Sequence, residues 1–325
     1  MNPDLFAGRY ELLHEAPPGA AGRLFEAKDI QTGERVALKV FRRELTEDGP
    51  ERGDLERFFK AAQACTHPHI IRFLALSLDE NYLVREWVHG FPLIDLLRKR
   101  REIPAAEVIT LLHGVPETLD AAVAADLAPT GDLLTRLFVS WDSNLPVDEL
   151  FRLRGVPIGD WRDFTVKLSP MGLSSLLPAS PEETMSTMIS PLLANAGPML
   201  TPSAALAETI HQILGAPRRS GRNRRYVPLG TLNEAGNAVL RRVVEGGVPP
   251  ASCALLWKEL LDATGLIPQQ KKTPPAPPPS PILQSPPPPP PPIPPPAPKP
   301  VVMPPPLPKR RTLHIPEAFL GNVQP

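Results

Sequence analysis

GRLFEAKDIQTGERVALKVF, residues 22–41, is the stretch whose reading decides the fold. Two apolar-rich runs, residues 23–29 and 35–41, flank Gln31-Thr32-Gly33-Glu34, where the glycine can take the positive φ that a tight reversal asks for. They read as a β-hairpin. In its second strand the two-residue period sets Ala37 and Lys39 on one face and Val36, Leu38 and Val40 on the other. A lysine in so apolar a strand has two explanations, a snorkelling side chain on a sheet edge or a charge held for a ligand. The setting has to choose between them.

Residues 9–14 read as a preceding strand and lead into Ala16-Pro17-Pro18-Gly19-Ala20-Ala21-Gly22. Downstream, residues 51–64 have helical composition with an apolar face through Leu55, Phe58, Phe59 and Ala62. His67-Pro68-His69-Ile70-Ile71 follows, then strands over residues 70–78 and 82–87, completing a five-stranded antiparallel sheet. VALKVF behind a glycine-containing loop, HPHII, YLVREWV followed by Gly90, and KLSPMGLS at residues 167–174 together resemble the serine/threonine protein kinases, in their bacterial eukaryotic-like form. The resemblance spans residues 5–265. It implies an α+β, bilobal protein-kinase-like fold, with a small antiparallel β lobe carrying one helix (residues 5–88) and a larger, mainly α lobe (89–265). A Pro-rich tail (266–325) follows. Under it, His67 and His69 belong to a loop that docks helix onto sheet, not to a metal pair.

The resemblance also implies a site. The strand lysine, Lys39, is the family's phosphate-holding residue, and Gly19 and Gly22 match two glycines of the loop that covers the phosphates. Pro17 takes the place of the first glycine, and Pro17 and Pro18 have no N–H to offer a phosphate. Leu24 and Ala37 would sandwich an adenine, and Glu86 and Val88 belong to the hinge whose backbone bonds its edge. The catalytic positions depart from the family pattern. The helix glutamate that pairs with the lysine is Phe58; Glu56 lies about 200° away around a helix, and Asp54 one turn earlier on a short side chain. The base position is Gly131 and the metal-binding amide position is Arg136, with Asp132 read as a turn residue. The metal-binding aspartate is Pro170, followed by Met171. Arg85 stands where the family guards the back of the adenine pocket: it either enters the cleft as a plug or replacement charge, or points to solvent. No catalytic residue, metal ligand or cofactor is therefore expected, with ATP bound without magnesium as the alternative.

Further along, residues 92–99, 107–125, 203–214 (closed by Gly215), 233–245 and 252–264 read as helices, the last with Leu255, Leu256, Leu260 and Leu261 as its core face and Cys253 and Trp257 packed there. Residues 140–163 read as an irregular insertion. Five arginines between Arg218 and Arg225 read as a solvated loop, for want of an aromatic platform beyond Tyr226. Half of the 46 prolines fall between Pro268 and Pro308, where polyproline II and a solvated backbone are expected. Pro305-Pro306-Leu307-Pro308-Lys309-Arg310 fits the form read by SH3-like grooves, though a spacer is the simpler reading. Lys+Arg 35 balance Asp+Glu 35, so no nucleic-acid partner is expected. Two distant cysteines, no signal-peptide pattern and no membrane span place the protein in the cytoplasm. The expected function is that of a pseudokinase, a binding or regulatory module with protein partners. Its rivals are an active kinase using relocated carboxylates such as Asp132 or Asp163, and a domain that merely carries a working tail.

Overall fold

The computed structural model describes residues 5–16, 22–41, 50–127, 132–142, 145–170, 201–217 and 225–266. Gly19, Gly131, Met171, residues 218–224 and the Pro-rich tail with Pro305–Arg310 lie outside the described residues. All that is described belongs to the compact unit Met1–Lys271.

The small lobe contains β1 (Tyr10–Glu15), β2 (Gly22–Asp29), β3 (Arg35–Phe41), α1 (Pro50–Ala64), β4 (Phe73–Ser77) and β5 (Tyr82–Glu86). The five strands form one antiparallel sheet in the order β1-β2-β3-β5-β4, as the sequence predicts. At the hairpin, Gly33 has φ +76° and donates its N–H to the Asp29 carbonyl at 2.7 Å. The buried Asp29 carboxylate is held by Arg9 at 2.7 Å. Gly22 needs its missing side chain for another reason: a Cβ there would stand 2.1 Å from the Val40 carbonyl oxygen. Register fixes the two faces. Phe25, Ala27, Val36, Leu38, Tyr82 and Val84 pack with Tyr10 on the outer face. On the other face Phe73 and Leu83 join Leu55, Phe58 and Ala62 of α1 in a second apolar cluster, which runs on into the large lobe.

The large lobe opens with β6 (Gly90–Pro92), α2 (Leu93–Arg100), α3 (Ala105–Leu112) and α4 (Val115–Ala124). The single helix expected over residues 107–125 is two, broken at His113-Gly114; Pro116 sits in the first turn of the second, where its lack of N–H costs no hydrogen bond. Then come β7 (Leu137–Trp141), α5 (Val147–Leu153), β8 (Phe164–Leu168), α6 (Pro202–Ile213), α7 (Glu234–Val244) and α8 (Cys253–Thr264). Strands β6, β7 and β8 form a second, three-stranded antiparallel sheet.

Two expectations need correction. The described part of residues 140–163 is not irregular throughout, since it holds the end of β7 and α5, and its tryptophans are core: Trp141 and Trp161 pack edge-on or tilted against each other, Phe91 and Phe164, and their indole N–H groups donate to the Arg162 carbonyl at 2.9 Å and the Leu153 carbonyl at 3.0 Å. On α8, Leu255 is half exposed, and the core face is Cys253, Leu256, Trp257 and Leu260. No helix among the described residues is long and apolar enough to cross a membrane.

Asn237 on α7 binds the segment before it to the lobe. Its side-chain oxygen accepts from the Tyr226 hydroxyl at 2.8 Å and the Leu229 N–H at 2.7 Å, and its amide donates to the Leu229 carbonyl at 3.0 Å. Removing it strands buried polar groups on both sides. Asn237→Ala is expected to lower stability by about 2–4 kcal/mol, read from the urea midpoint of the full chain.

Candidate functional site

The cleft face of the small lobe follows from strand pairing. Leu24 lies opposite Lys39, and Lys39 opposite Leu83; Ala37 lies opposite Arg85. Leu24, Ala37, Lys39 and Arg85 therefore share one face. Sheet geometry makes Lys39 and Arg85 diagonal neighbours across β3 and β5.

Arg85 turns inward. Its guanidinium donates to the Ser169 hydroxyl at 3.2 Å and lies 5.5 Å from the centre of the Phe138 ring, a cation–π contact with the second sheet. Of the two orientations open to it in the sequence, the structure takes the one that enters the cleft. Ser169 also meets Arg136, whose carbonyl accepts the Ser169 N–H at 2.8 Å. Pro170, next in the chain, is buried. The Arg136 Nε is buried with no hydrogen-bond partner among the described residues. Burial works against the charge of both guanidinium groups.

Lys39 is partly buried and forms no ion pair or hydrogen bond with a described residue. Burial first, then the charges of Arg85 and Arg136, bring its ammonium down to about 8 from an ordinary 10.5. Among the described residues no carboxylate offsets them. Phe58, in the helix glutamate's place, is buried edge-on against Phe73 with ring centres 5.2 Å apart. On the same helix, Asp54 pairs with Arg57, and Glu56 reaches Arg52 at 3.7 Å.

The other acids near the cleft are committed elsewhere. Asp132 caps the turn after it, accepting the Leu134 N–H at 2.9 Å, and it is Arg136, not Lys39, that feels its charge. Asp163 is exposed at the far end of β8, six residues from Ser169, which in extended chain is about 20 Å. Glu86 accepts from Arg72 Nε at 3.0 Å and from Lys167 Nζ at 3.0 Å, so this hinge carboxylate clamps β5 to β8. The Val88 N–H meets no described residue.

The residues present do not fit a magnesium ion. Hard divalent cations take oxygen ligands, chiefly carboxylates, whereas here the positions in question carry a guanidinium and a proline. Among the described residues no three His, Cys, Asp or Glu side chains converge anywhere. The structure thus sets Leu24, Ala37, Lys39 and Arg85 on one sheet face, with the charge of Arg136 acting on Lys39, and adds the contacts of Arg85 with Ser169 and Phe138. Ser169 and Phe138 carried no signal in the sequence. The charge of Arg136 did: in the place of a metal-binding amide it adds a cation that acts on Lys39.

A lysine whose folded pKa lies below its unfolded value weakens the fold while protonated in both states, and that penalty fades as pH rises between the two values. Lys39→Met is therefore expected to stabilise the protein at pH 7 by about 1–3 kcal/mol. The gain should shrink as pH climbs from about 8 toward 10.5, seen as converging urea midpoints of the two proteins.

No protein-family model matches the chain. Among curated proteins it is 36% identical to serine/threonine-protein kinase 1 of Arabidopsis thaliana over 98 residues, 29% of this chain and 11% of that one. It is 31% identical to the serine/threonine-protein kinase PknA of Mycobacterium tuberculosis over 131 residues, 37% of this chain and 30% of that one. The chain thus spans less than a third of the length of these relatives. The structure resembles the kinase domain of Mycobacterium tuberculosis PknI, with a TM-score of 0.57 at 20% identity, over 82% of this chain and 99% of that one. At that identity the likeness carries the fold, and the fold is the bilobal α+β one expected. In these partial sequence matches and in its fold, the chain is similar to the serine/threonine protein kinase family.

Proposed function

We propose that this chain is a catalytically inactive member of that family, a cytoplasmic pseudokinase whose folded part acts as a binding or regulatory module toward protein partners. The observation that carries the reading is the charge around Lys39: two arginines and, among the described residues, no carboxylate. Phosphoryl transfer depends on positioning and on neutralising charge as it develops, chiefly through metal ions, with a carboxylate to take the hydroxyl proton. Phe58, Arg136 and Pro170 offer neither a metal ligand nor a base, and Gly131 has no side chain to offer. A guanidinium in the metal's place also repels a divalent cation.

The test is transfer of ³²P from γ-labelled ATP, with magnesium or manganese, to the chain itself and to generic acceptor proteins. The expected result is no incorporation above that of Lys39→Met. Metal-dependent incorporation by the wild type that Lys39→Met abolishes would overturn the proposal and favour an active enzyme built on relocated carboxylates.

A further inference from the structure

We infer that α5 is the surface through which two copies of this chain associate, in a two-fold pair that packs Val147 and Phe151 of one copy against Phe151 and Val147 of the other. The inference is independent of the non-catalytic reading, since it uses no residue of the cleft.

It starts from an apolar pair left in water. Val147 is 66% and Phe151 59% exposed, and Phe151 is the one exposed aromatic side chain among the described residues. The other exposed large apolar side chains, such as Leu13, Ile30 and Val248, are scattered one to an element or loop, which is ordinary for a protein surface. Val147 and Phe151 stand four residues apart on one helix and so share a face, while Leu150 and Leu153 point from it into the core.

Phe151 is also held where it is. The Arg154 guanidinium lies 4.5 Å from the centre of its ring and 4.8 Å from that of the buried Phe91, and it reaches the Asp95 carboxylate on α2 at 3.6 Å. An aromatic side chain already fixed in an exposed position loses little freedom when a partner covers it, which is the property of an interface anchor.

The charges beside the pair specify the partner. Asp148 and Arg152 are exposed and repeat the four-residue spacing one position on, so they form a second row next to Val147 and Phe151. When a helix packs antiparallel on its own copy about a two-fold axis, each row meets itself reversed: Val147 meets Phe151, and Asp148 meets Arg152. Both rows are complementary to themselves. Within the chain Arg152 pairs with Glu149 at 2.5 Å, whereas Asp148 has no ion pair with a described residue. The acidic first turn and basic last turn also suit the dipole of the helix, but the dipole does not account for the apolar row. Two side chains cover far less than the roughly 800 Å² per partner of a stable interface, so a weak pair is expected, with Kd of about 10–200 µM.

The experiment is sedimentation equilibrium of the full chain at about 5–500 µM, a range that brackets that affinity. The expected result is a reversible monomer–dimer equilibrium that Phe151→Asp or Val147→Asp weakens by about tenfold or more. Should those variants lose their fold, the charged row gives a second test. Asp148→Arg alone and Arg152→Asp alone should each weaken self-association, because each sets like charges opposite one another. Mixed in equal amounts, these two variants should associate with each other about as tightly as wild type with itself, since both cross-pairs are then of opposite sign. Loss in each variant and recovery on mixing together mark the antiparallel arrangement.

A wild type that stays monomeric up to about 500 µM, whatever else then covers α5, overturns the inference. So does a dimer indifferent to Phe151→Asp and Val147→Asp, or a mixture of the charge variants that fails to recover. Each of these leaves the non-catalytic reading standing, since that one falls only to metal-dependent phosphate transfer.

Discussion

The pairing register of β2, β3 and β5 is the constraint on which the rest depends. Leu24 meets Lys39, and Ala37 meets Arg85, only because Phe25, Val36, Leu38 and Val84 are committed to the outer core. A slip of one residue would carry those apolar side chains to the cleft and the charges into the outer core. Burial of each such side chain contributes roughly 1.5–3 kcal/mol, so register is held far more firmly than electrostatics alone could oppose. The cations face one another because the sheet has nowhere else to put them.

The acids that could relieve them are engaged in building the fold. Glu86 joins Arg72 to Lys167 and so ties the first sheet to the second. Asp132 caps a turn, and Asp54 and Glu56 pair with arginines on their own helix. Phe58 strengthens the junction of α1 with β4 by an aromatic contact with Phe73. The carboxylates named here are thus structural. The lobes are joined tightly while the cleft between them is left positive.

The loop His67-Pro68-His69-Ile70-Ile71 shows how the second sheet is brought to the first. The Ile71 N–H donates to the Leu168 carbonyl at 2.9 Å and the Leu168 N–H to the His69 carbonyl at 2.7 Å, so the end of β8 is sewn to the small lobe by backbone. The sewing delivers Ser169 and Pro170 to the cleft. It also explains the two histidines, whose rings lie 5.7 Å apart beside this seam, with His69 facing the Val166 carbonyl.

The hairpin, the five-stranded sheet, the two faces of β3 and most helix spans were determined by sequence alone, since two-residue and 3.6-residue periods and turn glycines are local properties. What only the tertiary structure decided was long-range: the inward turn of Arg85, the clamp on Glu86, the order of residues 145–163 around Trp141 and Trp161, and the meeting of Arg85 with Arg136 at Ser169. Arg85 and Ser169 stand 84 residues apart, and a guanidinium carries no local mark of whether water or a hydroxyl will solvate it. That choice is made by the surface packed opposite, which exists only once the lobes have closed.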